Sequence, residues 1–289
     1  MSSAEPKRIR QLRLAICKQI PKFPNNRESL AALEAKSLGA VLIDYINWGN
    51  RFVPPRPRRV TIEPTLTADS RWKRLSGDVK ALLKKARDGA DLGPYLSLRV
   101  ARHGFTLKSR EISQSADRWE DKDFFLNVMG YHHFHLGPSI EAAGHAARTD
   151  EVLFAQVTRD AFTAVGLFDH SVFESKEAAS QSMTAERDRL WRLTEQRNSF
   201  GRAPGIYIDH PITNSGHSLQ HTHLAAHFAR QIYFVDPKLD DLASRAELFP
   251  DLPHAVVKAM KLTWNFHYLD LGLCDRTSGT FFVLQKGPM

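Results

Sequence analysis

Apolar positions along this chain follow two different periods. Over the first hundred residues they recur at helical spacing. Ile9, Leu12, Ile16 and Ile20 mark a basic amphipathic helix over 4–20 that stops at Pro21. Leu30, Leu33, Leu38, Leu42 and Ile46 form a stripe over 28–46, with Asn25 or Asn26 placed to cap it. Trp72, Leu75, Val79, Leu82 and Leu83 point inward from a third helix over 68–88. Its other positions carry Arg71, Lys73, Arg74, Lys80, Lys84, Lys85 and Arg87, and Gly89 ends it. Between the second and third helices the prolines of NWGNRFVPPRPRRVTI forbid helix and lead into a short strand at Val60–Ile62. The segment 93–104 reads as a short helix with a turn, and the polar stretch 109–119 as a boundary.

The period then shortens. From Lys122 to Glu174 an apolar approach leads to GYHHFHLG, a strand bounded by glycines. A polar loop with His145, Arg148 and Asp150 follows. Two β-rich runs, Val152–Val157 and Phe162–Phe168, flank the turn Thr158–Ala161, and the second ends on Asp169-His170. Strand alternation puts Tyr131, His133 and His135 on one face and His132, Phe134 and Leu136 on the other. Beyond lie a charged helix over 176–197, a turn at 201–205 and a strand at 206–208. A polar glycine-bearing segment at 209–218 precedes a helix over 218–234, and Pro237 opens another to about Phe249. The last stretch reads as two strands around the turn 275–279.

This order predicts an α+β protein in three consecutive parts: a basic helical domain at 1–110, a small antiparallel β-sheet module with a trailing charged helix at 111–198, and a mixed α/β module at 199–289. At 289 residues, 42% hydrophobic and 25% charged, the composition is that of a globular protein. No window is long and apolar enough to span a bilayer, and the start, MSSAEPKRIRQLR, lacks the apolar core of a signal peptide. Cys17 and Cys274 offer neither zinc spacing nor a disulfide framework. A cytoplasmic, non-membrane protein is expected.

Charge changes the picture. Residues 1–110 hold 23 Lys/Arg against 9 Asp/Glu, a balance of +14, while the remainder holds 17 against 23, a balance of −6. A polyanion meeting the basic part is one consequence, and a solvated or self-docking surface the other. Arg51, Arg56, Arg58 and Arg59 alternate with Trp48 and Phe52, an arrangement able to grip phosphates and stack bases; an ordinary proline-rich connector is the competing reading.

Ten of the thirteen histidines fall in two windows, 132–170 and 210–227. In the second, His217 and His221, like His223 and His227, stand four apart, a spacing at which one helix face can chelate a divalent metal. The HExxH arrangement is absent, and most of these positions read as polar helix surface. In the first window, clustered histidine with Arg and Tyr and little acid suits metal-independent RNA cleavage. There the 2′-hydroxyl attacks the adjacent phosphate, and the protein supplies a base, an acid and cationic stabilisation. His133 and His135 are the candidates, with Tyr131 on their face and His170 at the end of the third strand. His132, on the apolar side, reads as a core residue.

The order of strand, Arg-bearing loop, strand, turn and strand ending in His (HHFHLG…RTDEVLFAQVTRDAFTAVGLFDH) resembles the C-terminal hairpin sheet of the RelE/ParE-like toxin superfamily, over about fifty residues. The resemblance implies an endoribonuclease role for His133, His135, Arg148 and His170, without a cofactor, in a toxin–antitoxin or phage-defence setting. RNA would be the substrate, and an antitoxin or other partner protein is allowed. Two other readings stay open: a metal-dependent hydrolase using His217 and His221 with Asp209 or Asp236, and a non-catalytic nucleic-acid-binding or regulatory protein.

Overall fold

The computed structural model describes residues 5–107, 123–142, 144–174, 182–203, 206 and 210–289. The expected boundary at 109–119, Asp209 and most of the expected strand at 206–208 lie outside them. In chain order come α1 (Lys7–Gln19), β1 (Lys22–Phe23), α2 (Arg27–Glu34), α3 (Leu38–Gly49), β2 (Arg59–Ile62), α4 (Pro64–Thr67), α5 (Trp72–Asp88), α6 (Arg99–Arg102) and β3 (Phe105–Thr106). Then follow α7 (Phe124–Met129), β4 (Tyr131–His135), β5 (Glu151–Val157), β6 (Ala161–Asp169) and α8 (Ala185–Ser199). The chain ends with α9 (Leu219–Val235), α10 (Leu242–Leu248), α11 (His254–Ala259) and the strands β7 (Leu262–His267), β8 (Asp270–Asp275) and β9 (Phe281–Gln285). The protein is α+β, as its pattern implied. Among the described residues no helix is long and apolar enough to cross a membrane.

Capping sets the helix bounds. The side chain of Asn26 accepts the Ser29 N–H at 2.8 Å and opens α2. The single helix expected over 28–46 is two helices, because Ser37 adopts extended backbone and caps a new one at Ala40. Gly89, at φ 75°, closes α5 in the left-handed conformation. The charged helix expected from Lys176 begins, as α8, at Ala185, where Thr184 accepts the Arg187 N–H at 3.3 Å; residues 175–181 lie outside the described ones. The expected helix from Pro237 is a 3-10 turn followed by α10. The C-terminal strands number three, since the chain reverses at Tyr268, with φ 54°, and makes β7 and β8 a hairpin.

The chain divides into two compact units, each assembled from separated stretches, so neither coincides with one of the consecutive parts expected from sequence. One draws its described residues from Met1–Asn50, Ala101–Lys122 and Leu219–Pro288. In it α3 packs against α1 and α9 beside the antiparallel meander β7-β8-β9. Buried Asp236 ties this unit together, accepting from Arg8 Nε at 2.9 Å and Trp264 Nε1 at 2.8 Å.

The second unit takes Arg51–Val100 and Asp123–Ser218. Its sheet has the order β2-β6-β5-β4. The module is therefore not purely antiparallel: β2, from the basic part of the chain, pairs parallel to β6 with Arg59 opposite Ala161. Without β2, the outer edge of β6 would present unpaired backbone groups. Arg58 fixes this addition. Its side chain is buried, and it donates to the carbonyl oxygens of Thr158 (2.9 Å), Pro54 (2.9 Å) and Arg56 (3.2 Å). Opposite, Leu190 and Leu193 of α8 pack on Tyr131, Val152, Phe154 and Phe168 to make the core.

Truncating Arg58 leaves those three carbonyls without their charged donor. Arg58→Ala is expected to cost about 2 kcal/mol, in the range for buried hydrogen bonds to a charged group. The midpoint of denaturant unfolding reads this directly; an unchanged midpoint would remove Arg58 from the fold's supports.

Candidate functional site

The histidine strand starts at a sharp corner. Asp123 caps α7 by accepting the Leu126 N–H at 3.1 Å, and Gly130, at φ 74°, ends the helix and turns the chain into β4. β4 and β6 both run antiparallel to β5, with His135 opposite Val152 and Glu151 opposite Asp169. The end of β4, the start of β5 and the end of β6 thus meet at one end of the sheet. The loop after β4 folds back tightly: a Cβ on Gly137 would sit 2.1 Å from the Ala147 carbonyl oxygen, so only glycine fits there. That fold-back carries His145, which pairs with Glu141 at 3.1 Å, and delivers Arg148 to the same end.

Along the shared face the environment grades from dry to wet. Tyr131 is 2% exposed, with Arg197 5.8 Å from its ring centroid, and burial raises its phenol pKa. It belongs to the core beneath α8 and not to the histidine cluster, which is a correction to its candidacy. His133 comes next, its side chain 15% exposed, against the rings of Phe173 (4.9 Å) and Phe154 (5.9 Å). Its Nδ1 lies 3.8 Å from Asp123 Oδ2, too long for a hydrogen bond. His135 is half-buried with its ring 5.9 Å from that of His170. His170 is exposed and its Nε2 donates to the Thr149 carbonyl oxygen at 2.9 Å. The Nδ1 atoms of His133 and His135 are buried and have no hydrogen-bond partner among the described residues.

Electrostatics follow from this packing. Burial pushes the His133 pKa down; the Asp123 carboxylate opposes the shift, while Arg51 and His170 add to it. His135 is pushed down to about 4, first by burial and then by His133, His170, Arg148 and His145, all of which disfavour a second positive charge. The cluster can therefore present a neutral imidazole at pH 7, with an exposed arginine beside it.

The structure sorts the other candidates. His133, His135 and His170 converge, and Arg148 is close enough for its charge to act on His135. Arg51 is buried near His133 and Arg58 is consumed by backbone carbonyls, so neither is an exposed phosphate ligand. Arg56 is half-buried and Arg59 exposed. His217 precedes α9 instead of lying on it, with its Nδ1 2.9 Å from Ser215 Oγ, so it forms no helical i,i+4 pair with His221. His221 is itself on the buried side of α9, and His227 reaches Gln285 at 3.4 Å. Among the described residues no three His, Cys, Asp or Glu side chains gather as a metal site.

Two participants were not marked by sequence. Asp123 precedes a short apolar run ending in Gly130, a capping pattern that would have found it. Phe173, 36% exposed against His133 and His170, carries no such signal, because its place depends on the 3-10 turn after β6. Comparison with protein-family models, with curated proteins and with solved structures finds no match for this chain.

The unfolded chain binds a proton at His135 below about pH 6.5, and the folded one only below about 4. Between those values the unfolded state holds the extra proton, so stability falls as pH falls. The thermal midpoint is expected to drop from pH 6.5 to 4 and to drop less in His135→Gln. A proton NMR titration placing the His135 ring near its ordinary pKa would contradict the burial.

Proposed function

We propose that the histidine end of this sheet is a metal-independent ribonuclease site. The observation that carries the reading is the approach of His135 to His170, rings 5.9 Å apart, where three strand ends meet and Arg148 adds positive charge. The resemblance of this stretch to RelE/ParE-like toxins supports it. So does the depressed pKa of His135, which keeps that ring neutral and able to accept a proton.

In the proposed reaction His135 takes the proton of the RNA 2′-hydroxyl as its oxygen bonds to phosphorus. The bond from phosphorus to the 5′-oxygen breaks, and that oxygen takes a proton from His170. With both ring nitrogens protonated, His170 keeps its bond to the Thr149 carbonyl oxygen and offers Nδ1–H to the leaving group. Arg148 balances the charge of the pentacoordinate phosphorus. Cleavage leaves a 2′,3′-cyclic phosphate and a 5′-hydroxyl, with no water consumed. His133, backed by Asp123, holds the ring layer beneath. A cytoplasmic setting and an inhibitory partner protein are what the toxin resemblance would add.

Purified protein with excess chelator should cut single-stranded RNA to products bearing 2′,3′-cyclic phosphate. His135→Ala and His170→Ala should each lose about 100-fold or more, with thermal midpoints close to the parent's. The acid limb of kcat/KM should lie well below pH 6.5. Cleavage abolished by chelator would favour metal-dependent hydrolysis, and full activity in His135→Ala would end the proposal.

A further inference from the structure

Helix α5 carries a second feature of the histidine-bearing unit. At about 100° per residue, Lys73, Lys80, Lys84 and Arg87 fall within an arc of about 60° and span about 21 Å. All four are exposed, while Leu75, Val79, Leu82, Leu83 and Ala86 bury the opposite side. Gly77 lies about 20° beyond the edge of this arc, and a Cβ there would meet nothing within 4 Å, so that flank of the ridge is open. Of the two acids on α5, Asp88 is held by Lys84 and Asp78 is half-buried to one flank. Lys73 and Arg87 have no ion-pair partner among the described residues.

Both ends of the ridge lead somewhere. At its C-terminal end Arg58 N–H donates to the Ala86 carbonyl oxygen at 3.1 Å, and Gly89 lies so close to Pro57 that a Cβ would be 2.6 Å away. This packing sets Arg56 and exposed Arg59 beside the helix end. At its N-terminal end Arg74 pairs with Glu151, the first residue of β5, whose register partner is Asp169. The ridge therefore begins at the sheet end that bears His135 and His170.

We propose that the outer face of α5, continued by Arg56 and Arg59, binds the phosphodiester backbone of a single-stranded polynucleotide. A membrane surface fits less well. An interfacial helix must turn an apolar face to the lipid, and the apolar face of α5 is buried in its own unit, leaving Ser76, Gly77 and Ala81 among the cations. The choice of RNA as the polynucleotide rests on the ribonuclease reading; the ridge itself does not.

The test measures binding of a 12-nucleotide single-stranded RNA by fluorescence anisotropy across a salt series, with full-length protein carrying His135→Ala so that the RNA stays intact. Adding Lys73→Ala, Lys80→Ala and Arg87→Ala together should weaken binding by about tenfold or more at low salt. It should also flatten the slope of log Kd against log salt by about 2, because each phosphate that a cation neutralises accounts for about 0.7 of that slope. Removing three exposed cations of α1 instead (Lys7, Arg10 and Lys18) should change both far less. Equal losses in the two variants, or none in the ridge variant, overturn the proposal. So does a loss confined to vesicles of anionic phospholipid. In protein that keeps His135, RNA held by the ridge but never cut would defeat the ribonuclease reading alone. Cleavage undiminished by the ridge substitutions would defeat the ridge alone.

Discussion

The register of β5 between β4 and β6 is the constraint on which the histidine-bearing unit depends. A slip of one residue in either pairing would turn every side chain of the slipped strand to the opposite face. In the observed register Tyr131, Phe154 and Phe168 share one buried core with Leu190 and Leu193 of α8, and a slip would turn the rings of the slipped strand away from it. Tyr131 is thus a buried core residue on the strand that carries His133 and His135. Gly166 contributes in the same place, since a Cβ there would approach the Phe168 ring to 2.9 Å and force it to shift.

That packing carries a cost which also sets the protonation of the histidines. Aromatic rings shield His133 from water, and His135 is lowered by burial and by the positive groups around it, so each protonates less readily than a free imidazole. Polar atoms buried without partners oppose folding, and the two Nδ1 atoms lack hydrogen bonds among the described residues. The core beneath, with its T-shaped ring contacts Phe125–Phe154 and Phe154–Phe168, supplies apolar burial that offsets this. Strain of this kind at a cluster of titratable groups is common where a site is poised for chemistry.

Much of this arrangement was legible in the chain and some was not. Strand alternation placed the three side chains of β4 on one face, and glycine and turn residues located its ends. Helical stripes gave α1 and α5 to within a few residues, because each has one clear apolar side. Local pattern failed where a distant partner decides the outcome. Nothing in Arg59–Ile62 announces a parallel partner about 100 residues later, yet that pairing makes the sheet four-stranded and moves this part of the chain into the histidine-bearing unit. His217 looked like a helix residue because its spacing to His221 is four, but the helix starts only at Leu219. Tyr268 hid a hairpin, since a left-handed residue other than glycine leaves no compositional mark.

The arginines of the proline-rich connector show most clearly why composition does not assign roles. Arg56, Arg58 and Arg59 look equivalent in sequence, three cations within four residues. The path of the chain separates them: where the connector crosses the end of α5, Arg58 turns inward to three carbonyl oxygens, whereas Arg59 starts an edge strand and stays in water. A guanidinium has five donors in a rigid fork, which suits a cluster of backbone carbonyls as well as a phosphate. Its partner is thus chosen by depth and not by residue type. Inward, the fork holds β2 to the sheet; outward, the same chemistry is left for whatever anion meets the α5 face. One short peptide can in this way fasten an edge strand and extend a charged surface, and the buried arginine holds the exposed ones in place.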